Sequence, residues 1–142
     1  METENMTRER LEAYRSNRDE IKELRHKLAH LGEGDSLIGN DVIFNYQTGF
    51  PMPQAVVGYD YELEWKRRTR YQNQIAKLEA EQDNIEEWVF GIRDSQIRRL
   101  FQLRYLEGST VEKVARKVHL DKSNVSRKIE NFLKSQQTQQ KV

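Results

Sequence analysis

Over residues 111–125 the apolar positions fall at the spacing of a pair of short crossed helices, and a small residue, a capped second helix and a local positive charge accompany them. With Val111 as position one, Val114 stands at four, Ala115 at five, Val118 at eight, Leu120 at ten and Val125 at fifteen. These are the inward positions of two short helices joined by a tight turn, with a period near 3.6 within each helix. Position five must be small because the helices cross there, and Ala115 is small. The spacing predicts a helix-turn-helix unit.

The flanking residues agree with that unit. Asp94 or Ser95 can cap a preceding helix over residues 96–106. Ser109 or Thr110 can cap the first motif helix, and Asp121 the second. The second helix turns Lys122, Ser123, Asn124, Ser126, Arg127 and Glu130 outward. Such side chains supply donors for base edges and phosphates in a DNA major groove. Asn124, Ser126 and Arg127 are the expected base-facing residues, because Arg pairs bidentately with guanine and Asn with adenine. Lys122, Lys128, Arg116 and Lys117 are expected on phosphates, where they hold orientation without reading sequence. Two residues depart from the pattern. His119 occupies a turn position where a left-handed backbone costs a non-glycine residue about 1–2 kcal/mol. Lys128 stands at position eighteen, often apolar, with Ile129 beside it to supply that contact.

Charge follows the same division. Residues 92–142 carry twelve basic and five acidic side chains, net +7, whereas residues 32–91 are net −6 and residues 1–31 are neutral. A basic terminal third is the electrostatic footprint of a polyanion partner. Arg98, Arg99 and Arg104 precede the motif and either touch the DNA backbone or pair with Glu107 or Asp94. A second basic cluster, at Lys66, Arg67, Arg68 and Arg70, is followed by Glu79, Glu81, Asp83, Glu86 and Glu87. Ion pairing within or between helices is its expected role, with a nucleic-acid contact as the alternative.

Upstream of the motif the chain reads as long helices. Tyr14, Ile21, Leu24, Leu28 and Leu31 form an apolar seam over residues 4–31, with Leu11 beside it, and Gly32 and Gly34 end it. Tyr71, Ile75, Leu78, Gln82, Ile85, Val89 and Ile92 form a second seam over residues 61–90, with Gln82 its polar member. Matched lengths suggest a coiled-coil-like antiparallel hairpin that self-associates, because two helices leave much of an apolar stripe uncovered. Residues 32–60 break the pattern with Gly, Asn, Asp and Pro. A small two-stranded ribbon is expected there, either leaning on the helices or serving as a contact surface.

Composition narrows the function classes. Only 36% of residues are hydrophobic and 33% are charged, which suits narrow apolar stripes and a small terminal domain. There is no run of about 18 apolar residues to span a membrane. No apolar stretch follows METENMTRER, so no secretory signal is expected and the chain is expected in the cytoplasm. The absence of cysteine excludes disulfides and thiolate metal sites. His26 and His30 are four apart, a metal-competent spacing, but no third ligand completes it, so a solvated helix face is expected. No phosphate-cradling glycine loop, GxSxG or Cys/His pair is present. The expectation is no catalytic residue, no metal, no cofactor and no enzyme activity.

Residues 97–133, with RRLFQLRYLEGSTVEKVARKV ahead of a capped helix, resemble region four of the sigma-70 family. The layout as a whole, with DSLIGND in its Gly- and Asp-rich middle, resembles small phage late-gene transcriptional regulators of the RinA/ArpU kind. That resemblance implies a phage protein acting in the bacterial host, with double-stranded DNA and host RNA polymerase as partners. No sigma region-two segment accompanies it, so a promoter-melting sigma factor is not implied. The expected fold is mostly α. Residues 1–91 form an oligomerising helical hairpin with an insertion at 32–60, residues 92–134 a DNA-binding domain, and residues 135–142 a disordered tail. A homo-oligomer, dimer or larger, follows because one such motif binds weakly alone. The alternatives are a small terminase subunit that recognises phage DNA for packaging and a helical adaptor that binds only protein.

Overall fold

The computed structural model describes residues 5–32 and 60–141, with backbone alone for 137–141. Every element among these residues is helical. In order they are α1 (Arg8–Ala29), α2 (Tyr61–Phe90), α3 (Ser95–Phe101) continued by a π-helical turn (Gln102–Leu106), α4 (Val111–Val118) and α5 (Lys122–Lys141). The mostly helical class predicted from the spacing is therefore observed. The ribbon expected within residues 32–60 lies outside the described residues.

Local chemistry sets the ends. Helix α1 begins at Arg8 rather than residue 4, because the Thr7 hydroxyl accepts from Arg10 N at 3.2 Å and its carbonyl from Leu11 N at 3.1 Å. It ends at Ala29, and Gly32 takes φ 90°, a region that suits glycine. Asp60 Oδ1 accepts from Leu63 N at 2.9 Å and opens α2. Of the alternative caps, Asp94 opens α3 by accepting from Ile97 N at 3.0 Å. Thr110 opens α4 by accepting from Lys113 N at 3.2 Å.

The chain divides into two compact units, one of Met1–Glu20 with Leu78–Val142 and the other of Ile21–Lys77. The first holds a continuous core. The start of α1 contributes Met6, Leu11 and Tyr14, and the end of α2 contributes Ile85 and Val89. Leu100, Phe101, Leu103 and Tyr105 come from α3 and its π turn, Val114, Ala115 and Val118 from α4, and Val125, Ile129 and Leu133 from α5. Phe101 is fully buried, with ring centroids of Trp88, Phe132 and Tyr105 at 5.4, 5.5 and 5.7 Å. At its edge, Arg10 grips both carboxylate oxygens of Glu81 at 2.8 Å, and Tyr14 Oη donates to Glu86 at 2.5 Å. The domain boundary expected at residues 91/92 is thus corrected. Met6, Leu11 and Tyr14 of α1 and Ile85 and Val89 of α2 belong to the same core as Phe101.

Two further expectations change. Residues 96–106 were expected as one regular helix, but the second half widens into a π turn, with Glu107 N donating to Gln102 O at 2.9 Å. A regular α-helix rotates about 200° between residues two apart, yet Leu103 and Tyr105 are both buried. Both belong to the same core. The tail expected to be disordered from residue 135 continues α5 to Lys141. Its Gln and Lys residues are good helix formers, and neither Gly nor Pro interrupts them.

In the second unit, Ile21, Leu24 and Ile75 are buried, at the seam positions expected of them. The Lys27 ammonium lies 5.9 Å from the centre of the Tyr71 ring. Two members of the basic cluster of α2 meet carboxylates one turn earlier. Arg68 meets Glu64 at 2.6 Å and Lys66 meets Glu62 at 4.0 Å. Both are spacings of four, the pairing a helix makes without tertiary help.

Candidate nucleic-acid interface

The surface formed by α4, the turn after it and the start of α5 rests on buried valines. Val114 and Val125 are fully enclosed, and Ala115, Val118 and Ile129 nearly so. Leu120 packs partly buried against the same core. The expected inward positions are therefore inward. Lys128 is half-buried and Ile129 takes the apolar contact, as its neighbouring position allows.

The turn is tight because His119 adopts φ 60°, ψ 46°, the only positive-φ residue other than glycine among those described. Leu120 N then donates to Ala115 O at 3.0 Å, closing the end of α4. At Asp121 the bond runs through the backbone: its carbonyl accepts from Val125 N at 3.0 Å. The chain direction at the head of α5 is set there.

Outward of this frame, Arg116, Lys117, Lys122, Ser123, Ser126 and Arg127 are exposed and Asn124 is half-buried. The eight residues singled out for DNA thus lie on two consecutive helices around one turn. Their hydrogen bonds are specific. Arg127 Nη1 donates to Asn124 Oδ1 at 2.8 Å, and Lys122 Nζ donates to Glu112 Oε2 at 3.2 Å. Glu112 is exposed. Its carboxyl is nonetheless held below the usual range, first by a hydrogen bond from its own backbone and then by Lys122. Glu130, the acidic member of the outward face, lies 3.9 Å from Lys134.

The arginines ahead of the motif are committed elsewhere. Arg98 Nη1 donates to the carbonyl of Ile92 at 2.7 Å, and Arg104 Nη1 to that of Ser109 at 3.2 Å. They hold the segments before α3 and before α4 rather than pairing with Asp94 or Glu107. Arg99 is exposed.

Two participants escaped the sequence pattern. Glu112 is ten residues from Lys122, and nothing in one helix brings the two together. Only the turn does. Arg15 of α1 reaches the Leu106 carbonyl at 3.2 Å and lies across Gly108 so closely that a side chain there would strike it. Gly108 also takes φ +77°. The glycine was a visible signal for a turn, but its partner 93 positions earlier in the chain was not.

His26 and His30 stack with ring centroids 4.2 Å apart, and His30 Nδ1 lies 2.9 Å from the His26 carbonyl. Among the described residues no three metal-ligating side chains converge, and no helix is long and apolar enough to cross a membrane. No family model, curated protein or solved structure matches the chain.

Proposed function

We propose that the chain is a sequence-specific regulator of transcription that binds double-stranded DNA through a helix-turn-helix, with α5 entering the major groove. The observation that supports this most directly is the face of α5. Arg127, Lys122, Ser123 and Ser126 are exposed on a helix fixed from beneath by fully buried Val125 and Val114. A rigid helix offering donors outward suits a base edge, and the net charge of +7 over residues 92–142 suits the phosphates that flank it. Arg116, Lys117, Lys122 and Lys128 are assigned to phosphates, and Ser123, Asn124, Ser126 and Arg127 to the groove. The resemblance to phage late-gene regulators extends this to activation of late genes in the host cytoplasm beside host RNA polymerase. The long helices, arranged as a hairpin, serve self-association, which places two motifs on repeated half-sites.

The test is binding to duplexes selected from a random pool, followed by fluorescence anisotropy across salt. Affinity should fall steeply from low to moderate salt. Arg127→Ala should relax specificity at a cost of roughly 1–3 kcal/mol, whereas Lys122→Ala should weaken all duplexes alike. Equal binding by the native chain and an Arg127→Ala/Lys122→Ala double variant would remove the function proposed.

A further inference from the structure

Arg127 is donor-only at any pH a protein survives. The Asn124 atom that meets its Nη1 at 2.8 Å is therefore the amide oxygen, and the hydrogen bond itself fixes which way the amide points. Two consequences follow for the outward surface. The Asn124 oxygen, which would have to accept from adenine N6, already gives one of its two lone pairs to a cation, while its NH2 remains available as a donor. The guanidinium keeps its Nε/Nη2 edge, a complete pair of parallel donors.

The remaining groups around this pair are of the same kind. Lys122 and Lys128 are donors without acceptors, and Ser123 and Ser126 serve in either sense. Glu130 leans toward Lys134 at 3.9 Å. A surface of donors complements a base edge of acceptors. In the major groove guanine alone offers two, N7 and O6, whereas adenine offers one acceptor and one donor, and cytosine a donor. The i, i+3 spacing of Asn124 and Arg127 lets one side chain brace the other on the same helix face. That reduces the rotamer freedom the long Arg side chain loses on binding.

Resting on the duplex-binding function proposed above, the geometry points to guanine as the base read here. Arg127 is the reading residue, and Asn124 is a positioning residue that acts through it. Asn124 is then not a reader of adenine, which its residue type alone had suggested.

The experiment uses the purified full chain and its selected duplex. Each guanine in the site is replaced in turn by 7-deazaguanine, which lacks the N7 acceptor, and by adenine. One guanine should prove sensitive, with binding falling roughly ten- to a hundredfold on replacement by adenine. Arg127→Lys should abolish the preference at that position and leave the others. Asn124→Ala should lower the guanine-over-adenine ratio there several-fold. Asn124→Asp retains an oxygen for Arg127 and should keep the ratio, although its added negative charge weakens binding overall. Arg127 is exposed and Asn124 half-buried, and an unchanged helical circular dichroism spectrum verifies that the variants fold. A sensitive adenine whose 7-deaza analogue binds poorly, and whose preference disappears in Asn124→Ala, would overturn the assignment. So would a guanine preference untouched by Asn124→Ala. Binding without any guanine requirement sinks this assignment alone, whereas failure to bind any duplex sinks the proposed function.

Discussion

Lys122 and Glu112 meet across the turn between α4 and α5, with Nζ 3.2 Å from Oε2 and both side chains 62% exposed. The cation assigned to a phosphate is thus partnered by a carboxylate of its own chain. An exposed pair of this kind exchanges readily with solvent and is screened by salt. Glu112→Gln removes the competitor and a negative charge beside the duplex. Binding should tighten about two- to threefold at low salt, with the difference closing as salt rises. Anisotropy titrations of both proteins measure this.

The same pair has a signature in acid. The Glu112 carboxyl is held below its ordinary value of 4.5, so its contribution to stability is present above that value and is lost as pH falls through the lower folded one. A carboxyl-resolved NMR titration should find Glu112 depressed, and Lys122→Ala should move it part of the way back, leaving the effect of its backbone hydrogen bond. No movement would mean that the pair is not formed in solution.

Ala115 is nearly buried at the crossing of α4 and α5, with Val114 fully enclosed beside it. Ala115→Leu adds volume to a packed crossing and should destabilise by roughly 1–3 kcal/mol. Urea denaturation followed by circular dichroism reads the loss directly. An unchanged midpoint would contradict the register in which Ala115 sits at the crossing.

His119 is held in the left-handed region at φ 60°. His119→Gly removes that strain but adds freedom to the unfolded chain, so a net gain of about 1 kcal/mol or less is expected. A β-branched residue suffers more in this conformation, so His119→Val should destabilise. Opposite shifts in the denaturation midpoint test the turn geometry independently of any ligand.

Tyr14 and Tyr105 are both pushed above the usual phenol value of 10.0, chiefly by burial, and Tyr14 also by its bond to Glu86. The folded chain favours the neutral phenol. Stability is therefore retained below the unfolded value and lost as pH rises through the folded one. As pH rises past 10.0 the urea midpoint should fall, and that of Tyr105→Phe should fall less. An equal fall in both would remove Tyr105 from the cause.

Much of the fold is legible in the residues because helices are encoded locally. The seam from Tyr71 to Ile92, the caps at Thr110 and Asp94, and the spacing of Val114, Ala115, Val118 and Val125 all concern residues within one or two turns of each other. Side chains that share a helix face must share an environment, so periodicity alone predicts which are inward. The outward polar face of α5 is legible for the same reason.

What the sequence determined by itself is the set of helices, their inward faces and the concentration of positive charge in the last third. Only the tertiary structure decided which distant faces meet: Met6, Leu11 and Tyr14 in the core around Phe101, Arg15 across Gly108, Lys122 with Glu112. It also decided that residues 102–106 widen into a π turn, with both Leu103 and Tyr105 buried. The physical reason is that a periodic pattern states that a face must be covered but not by what. The choice among many possible covers is made by shape and charge across tens of residues, and no spacing records it.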